Sequence, residues 1–152
     1  MRKTERERDA AFAWQVFRDA VYATLSLATT DGKPYAVPVN AVTDGKAFYF
    51  HCGKEGEKMD ILKQNPAVCL SAVSYAAIVP EQLTTLYRSA VVKGNAQIVT
   101  DNAEKAYALR LITEFYAPEQ VAMLDTQGSC AQRAQIVKIV PAEITGKEKE
   151  SD

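Results

Sequence analysis

Histidine is almost absent from this sequence, since His51 is the only one in 152 residues. The three cysteines, Cys52, Cys69 and Cys130, are too scattered to form a Cys-x-x-Cys pair. Zinc sites in proteins are usually built from three or four Cys, His or acidic ligands, and Cys-x-x-Cys spacing is their common signature. A metal centre made of several imidazoles is therefore excluded, and we expect no bound metal.

The sequence also lacks an excess of charge of either sign and a long apolar run. Its 18 basic and 19 acidic residues give a net charge of -1, whereas proteins that bind nucleic acids usually carry surplus Lys and Arg on one face. The longest charge-free stretch, 64–80, contains Asn65 and Pro66 and is shorter than the roughly 20 apolar residues of a membrane-spanning helix. We expect neither nucleic acid nor membrane as a partner.

No export signal is visible, because the opening residues MRKTERERD mix both signs of charge and lead into an amphipathic pattern. An odd number of cysteines without framework spacing is typical of a reducing compartment. The sequence therefore predicts a soluble cytoplasmic protein, and its length predicts one domain.

Hydrophobic periodicity predicts the elements. Ala10, Trp14, Phe17 and Val21 recur at helical spacing, and afterwards the period changes to two, as in half-buried strands. The predicted strands are Tyr22 to Leu27, Tyr35 to Val42, Ala47 to His51, Val68 to Val73, Tyr87 to Val99 and Gln135 to Ile144, with helices over Gly53 to Asn65 and Asp101 to Pro118. Turns are expected at Asp31-Gly32 and Asp44-Gly45, and a bulge or bend at Gly94.

These elements predict a mainly β fold, an antiparallel barrel with peripheral helices. We expect a single domain over residues 1–146, followed by a charged, frayed tail over 147–152. A Greek-key OB-type barrel fits the strand count as well, so architecture alone does not assign a function.

The segment from Phe50 to Lys58 has the layout of an anion site. A strand runs into a loop containing Gly53 and Gly56 and then into a helix start. Backbone N–H groups at a helix N-terminus are unpaired and partly positive, and Lys58 adds a full charge. The plainer interpretation is that Lys58 is a solvated helix lysine and that the glycines serve the turn.

Two further segments are candidates. Arg88 and Ser89 open the fifth strand, and with Lys58 they would complete a phosphate clamp; the alternative is an edge-strand arginine. Pro38, followed by Val39 and Asn40, interrupts a strand and therefore predicts a sheet edge, where free backbone groups could bind a planar ligand. The plainer interpretation is an edge strand that the proline protects from aggregation.

His51 and Cys52 are adjacent, which suggests a base and a nucleophile. Neighbouring strand residues point to opposite faces, however, so this pair is a poor catalytic dyad. A lone histidine is more often structural than catalytic unless it lies in a ligand pocket.

Four stretches cover most of the chain in a fixed order and spacing: YATLSLATTDGKPYAVPVNAV, FYFHCGKEGEKMDILKQNPAVCLSAV, YRSAVVKGNAQIV and IVKIVPAEITGK. Together they resemble the flavin-binding split barrels of the pyridoxamine 5′-phosphate oxidase-like superfamily, and within it the 5-nitroimidazole resistance type. The resemblance implies a six-stranded split barrel that binds FMN at a homodimer interface. The residues implied at the cofactor are Pro38, Val39 and Asn40 along the isoalloxazine ring, Phe50 and His51 beside it, Gly56 and Lys58 at the phosphate, and Arg88 and Ser89 as further polar contacts.

The chain departs from true pyridoxamine-phosphate oxidases, which are longer and finish with an arginine-bearing substrate segment, whereas this sequence finishes KEKESD. The resemblance therefore implies reduction of a nitro group on a small-molecule substrate, with electrons from NAD(P)H or another donor carried by the flavin. His51 is the only candidate for a general acid. A flavin store or redox sensor without catalysis is the alternative.

Overall fold

The computed structural model describes residues 4–126 and 128–151. The strands are Glu7–Arg8 (β1), Ala23–Ala28 (β2), Pro34–Val39 (β3), Val42–Thr43 (β4), Phe48–Cys52 (β5), Ala67–Val79 (β6), Thr84–Ile98 (β7) and Gln135–Lys149 (β8). The α-helices are Ala10–Asp19 (α1), Glu57–Gln64 (α2), Asn102–Tyr116 (α3) and Ser129–Arg133 (α4), and 3-10 helices occupy Thr4–Arg6, Pro80–Gln82 and Pro118–Met123. Within these ranges no helix is long and apolar enough to cross a membrane, and no three His, Cys, Asp or Glu side chains are grouped to hold a metal ion.

The strands form one antiparallel sheet in the order β3-β2-β6-β7-β8-β5-β4, and β1 pairs with the far end of β8. The six longer strands are the six that periodicity predicts, and α1, α2 and α3 pack against the sheet. The predicted mainly β split barrel with peripheral helices is confirmed. Its sheet is open, with β3 and β4 at the two ends of the order.

One predicted strand, Tyr35 to Val42, is divided in the structure. β3 ends at Val39, where the Ala41 N–H donates to the Val39 carbonyl over 3.1 Å. Val42 then begins β4, which pairs with Tyr49 on β5 at the other end of the sheet order. Both valines are buried, so the hydrophobic pattern continues through the point where the chain crosses from one sheet edge to the other.

Local turn chemistry behaves as predicted at both Asp-Gly pairs. Gly32 has φ 85° and Gly45 has φ 84°, in the left-handed region that favours glycine. The Asp44 carboxylate accepts from the N–H groups of Lys46 and Ala47, each over 2.9 Å. Burial alone would raise the pKa of Asp44, but these backbone bonds outweigh it and lower that pKa.

Helix α1 covers the main core. Asp9 caps it by accepting from the Phe12 N–H over 2.8 Å, and the rings of Trp14 and Phe17 lie 4.9 and 4.7 Å from the ring of Phe48. The predicted apolar stripe is wrong at Val21, which follows the helix end and is 74% exposed.

A second, smaller core lies on the other face of β5, where Tyr49 packs with residues of α3 that include Ala108 and Ile112. Helix α3 is capped by Asp101, the first residue of the predicted helix, which accepts from the Glu104 N–H over 2.7 Å. β5 therefore lies between two apolar clusters, with Phe48 and Phe50 in one and Tyr49 in the other.

The bend predicted at Gly94 is confirmed, because the register of β7 against β8 shifts between Lys93 and Gly94. A side chain at this position would place its Cβ 2.2 Å from the carbonyl oxygen of Val140. Only glycine permits so close an approach of the two strands.

The prediction of a frayed tail from residue 147 is wrong for its first residues. β8 continues to Lys149, paired with β7 as far as Tyr87 and with β1 at Glu7. Glu148 is only 6% exposed and accepts from Arg8 over 2.9 Å and from Arg88 over 2.7 Å. The charges of this segment favoured exposure to solvent, but Glu148 is paired with two arginines that are 140 and 60 positions away in the chain.

Candidate functional site

The loop between β5 and α2 combines the features of the predicted anion site. Gly56 is the N-cap of α2, with φ 112° and no side-chain cap. The N–H groups of Met59 and Asp60 donate to the Gly56 carbonyl over 2.8 and 3.1 Å, so those of Glu57 and Lys58 are the ones that the helix leaves for a ligand. Glu57 and Asp60 in the same first turn are acidic, so Lys58 supplies the positive charge at this helix end.

Lys58 is half-buried, which does not fit the interpretation of a fully solvated lysine. Its Nζ lies 5.6 Å from the ring centroid of Phe50, a cation–π distance. Phe50 is fully buried, so the ring is a fixed platform for the ammonium group. β5 and α2 thus hold Phe50, Gly56 and Lys58 together, as the sequence predicts.

Cys52 and His51 point to opposite sides of β5. The Cys52 Sγ lies 3.5 Å from the Sδ of Met59 on α2, whereas His51 is exposed. Burial raises the pKa of the Cys52 thiol, and the nearby charge of Lys58 lowers it in part. These positions confirm that the two residues form no base–nucleophile pair.

Pro38 lies on an edge strand, as predicted. β3 is at the end of the sheet order, and Pro38 stands opposite Thr24 of β2. Pro38 and Asn40 are exposed, while Val39 is buried in the same core cluster as Phe50. The strand therefore offers a flat, partly apolar edge close to the cluster below Lys58.

The phosphate clamp predicted from Lys58 with Arg88 and Ser89 does not form within one chain. Arg88 stands opposite Glu148 on β8 and Phe50 stands opposite Val137. These positions are eleven residues apart on β8, or about 36 Å of extended strand. Sheet register, which is a long-range property, puts the two groups at opposite ends of the barrel wall.

Arg88 is also not an edge-strand arginine, because β7 lies between β6 and β8. Its Nε donates to Glu148, and its terminal nitrogen lies 3.8 Å from Glu150. Ser89 is half-buried, and its hydroxyl donates to the Lys147 carbonyl over 3.4 Å. Within a single chain, the side chains of Arg88 and Ser89 therefore hydrogen-bond β7 to β8.

His51 borders a cavity of about 650 Å³ between β5 and the helical segment from α3 to α4. Alternation along β5 places its side chain on the side of Tyr49, away from Phe50. This position meets the condition under which a lone histidine is a functional candidate, namely a place at a ligand-sized cavity.

The family model of the pyridoxamine 5′-phosphate oxidase matches residues 9–148. The chain belongs to the pyridoxamine 5′-phosphate oxidase family. The match covers nearly the whole chain and agrees with the resemblance carried by the four sequence stretches. It favours the split barrel over the Greek-key OB-type barrel, two architectures that the number of strands could not distinguish. A comparison with curated proteins finds no match.

Solved structures in this family's fold support the same assignment. One is a candidate 5-nitroimidazole antibiotic resistance protein from Bacteroides thetaiotaomicron, with 25% identity and TM-score 0.80, covering 92% of this chain and 84% of the other. A candidate pyridoxamine 5′-phosphate oxidase from Corynebacterium glutamicum has 25% identity and TM-score 0.67, covering 95% and 98%. An FAD- and heme-binding protein from Mycobacterium smegmatis, with 18% identity and TM-score 0.81 over 96% and 74%, shares the fold.

Sequence reasoning missed one polar cluster in this oxidase-family chain. Glu104 accepts from the Tyr49 hydroxyl over 3.1 Å and from the Lys138 Nζ over 2.6 Å. Burial, together with the bond to Glu104, raises the pKa of Tyr49, and the bond to Glu104 raises the pKa of Lys138. Through these two bonds Glu104, in the first turn of α3, fixes that helix to β5 and β8. Tyr49, which precedes Phe50 on the strand, was the sequence signal for this cluster, because a buried tyrosine hydroxyl needs a hydrogen-bond partner.

Proposed function

We propose that the chain is a homodimeric FMN-binding flavoprotein that reduces nitroimidazole, nitroaromatic or similar small molecules with electrons from NAD(P)H or another donor. The observation that supports it most is the placement of Lys58 at the uncapped N-terminus of α2, above the buried ring of Phe50. This is a phosphate-type site in a chain whose fold is shared by FAD-binding proteins.

The residues present fit the phosphate end of FMN. Gly56 has no side chain to cover the first N–H groups of α2, and its φ of 112° keeps the loop clear of them. Those N–H groups and the half-buried Lys58 would hold the phosphate by charge-assisted hydrogen bonds. A Cβ at Gly56 would meet nothing within 4 Å, so the space beside the helix end is open to a ligand.

The edge strand β3 fits the isoalloxazine end. Pro38 has no N–H to leave unsatisfied under a flat ring, and Val39 continues the core below. Asn40, which is exposed where β3 ends, would hydrogen-bond the polar rim of the ring. When bound, FMN supplies the electron-carrying ring, and the protein supplies position, polarity and exclusion of water.

His51 is the residue to which we assign proton delivery. It is exposed on β5, next in sequence to Phe50, with its side chain on the Tyr49 side of the strand. Histidine is the side chain used most often as a general acid, and this sequence has one.

The separation of Arg88 and Ser89 from Lys58 supports a homodimer. If these residues contact the same cofactor, they must come from two copies of the chain, because β8 separates them within one. The interior of this small barrel is filled by two apolar clusters, which favours a flavin site between protomers over one inside the barrel.

The first test is the absorbance spectrum of the purified protein before and after addition of FMN, with FAD in a parallel sample. We expect a flavin spectrum that remains with the protein through gel filtration. A colourless protein that takes up neither flavin would overturn the proposal.

The second test separates an enzyme from a flavin store. The loaded protein is mixed with NADPH or NADH and a 5-nitroimidazole, and the loss of the nitro chromophore is followed. Turnover supports the reductase. A protein that holds FMN but is never reduced, or never passes electrons on, is the non-catalytic alternative.

A further inference from the structure

The cavity beside His51 is separate from the Lys58 site. Lys58 and Phe50 lie on the side of β5 that faces the main core, and the cavity lies on the side that faces α3. At about 650 Å³ it falls within the roughly 300–1,000 Å³ typical of small-molecule sites. It therefore has room for a ligand that does not compete for the phosphate loop.

Most of its wall is aliphatic. The apolar residues that line it come from α3, from the 3-10 helix that follows and from the segment around α4; they include Leu109, Ile112, Leu124, Ala131 and Ala134. Ile112 is held firmly, as it is only 7% exposed and belongs to the second core. Such a wall favours a flat hydrocarbon surface over a polar chain.

Among the described residues that line the cavity, a small number carry polar side chains. The Thr113 hydroxyl donates to the Leu109 carbonyl over 2.9 Å, so what it offers a ligand is an acceptor oxygen. The His51 imidazole can donate or accept, and Gln120 is exposed at the rim. A ligand with one hydroxyl or N–H group matches this set.

The charges of the lining residues also limit which ligands the cavity can bind. Among the described lining residues there is no Lys or Arg, and Asp125 is acidic. An anionic ligand would thus enter a low-dielectric site without a fixed counter-charge, which is unfavourable. This differs from the phosphate-type site at Lys58.

We propose that this cavity binds an uncharged aromatic molecule of one or two fused rings that carries a single hydroxyl or N–H group. The rings lie against the aliphatic wall of α3, and the polar group donates to the Thr113 oxygen; where that group is a hydroxyl, its oxygen also accepts from His51. The inference concerns binding alone and does not depend on flavin chemistry at the other face of β5.

The probe is 2-naphthol, titrated into the purified full chain by isothermal calorimetry, and 2-naphthoate serves as its anionic counterpart. We expect saturable binding of 2-naphthol at one site per chain and binding of 2-naphthoate at least about tenfold weaker. The Ala134→Phe variant fills the cavity and should abolish binding. The matched control is Ala103→Phe, the same substitution at an exposed position in the first turn of α3.

Thr113→Val keeps the side-chain shape and removes the acceptor, so binding should weaken by about three- to tenfold. This variant decides the question if Ala134→Phe does not fold, as judged by circular dichroism. The proposal is overturned if 2-naphthol does not bind, if 2-naphthoate binds as tightly, or if the folded cavity variants bind like the wild type. A protein that binds 2-naphthol but no flavin would disprove the flavoprotein assignment and leave this inference in place.

Discussion

The ammonium nitrogen of Lys58 lies 5.6 Å from the centre of the Phe50 ring, at the start of α2. A lysine held over a buried aromatic ring loses less freedom when it binds an anion than a fully exposed one. The contact therefore prepares Lys58 for a phosphate group.

Lys58→Ala should weaken FMN binding by about 10- to 100-fold, because a charge-assisted bond to phosphate contributes about 1.5–3 kcal/mol. The measurement is quenching of flavin fluorescence on titration with protein. Lys63→Ala, an exposed lysine in the last turn of the same helix, is the control and should bind like the wild type. Equal affinities in the two variants would disprove the phosphate assignment.

Gly56→Ala should destabilise the fold and weaken FMN binding together. At φ 112° and ψ 163° a residue with a side chain is strained by about 1–3 kcal/mol, and the loop would relax away from the helix end. The matched control is Gly53→Ala in the same loop, where φ is not in the left-handed region and a Cβ would meet only the Glu55 carbonyl at 3.7 Å. Urea unfolding and flavin titration of both variants test this; a Gly53 variant that is as damaged as the Gly56 variant contradicts it.

Glu148→Gln should lower the free energy of unfolding near neutral pH by about 2 kcal/mol, since a buried carboxylate that accepts from two arginines is lost. Glu143→Gln, which removes an exposed ion pair with Lys93, should change stability by less than about 0.5 kcal/mol. Urea unfolding of the three proteins gives both values. The interpretation fails if the two variants are equally stable.

The same carboxylate predicts a pH dependence. Burial would raise the pKa of Glu148, but the hydrogen bonds from Arg8 and Arg88 outweigh burial and lower it. The stabilisation is therefore complete above the pKa of the unfolded chain, near 4.5, and is lost as the pH falls through the lower pKa of the folded protein. Unfolding curves of wild type and Glu148→Gln should converge as the pH falls through this range, whereas a constant gap would disprove the linkage.

We expect the hairpin formed by β6 and β7 to contribute to the interface of the proposed dimer. Beyond Tyr87, the last residue of β7 paired with β8, no third strand of the described residues pairs with the hairpin. A two-stranded hairpin is marginal alone, yet Ile78 is 79% and Leu83 95% exposed. Ile78→Asp should therefore shift the protein towards monomer in light scattering, while Met123→Asp, equally exposed on another face, should not. An unchanged dimer would place the interface elsewhere.

The parts that sequence predicted well are those decided by neighbours in the chain. The turn at Asp44 is closed by its own carboxylate within three residues, and the helix start at Gly56 needs only local geometry. Period-two hydrophobicity located the six long strands because each has a buried face.

The parts that failed are decided by residues far apart. The sequence around Val39 does not indicate that the next strand pairs at the opposite end of the sheet order. The sequence around Glu148 does not indicate that its partner is Arg8, which lies 140 positions away. Arg88 and Lys58 were grouped by chemistry alone, but strand register separates them. Register depends on the whole sheet, so no local pattern reports it.

β8 is the last strand in the chain, and it pairs with β7, with β5 and with β1. During synthesis, β5 and β7, which pair with β4 and β6 on one side, therefore keep their other edge unpaired until β8 has been translated. Barrels with such distant pairings fold slowly and expose strand edges meanwhile. The nascent chain therefore exposes these two strand edges to aggregation until β8 pairs with them.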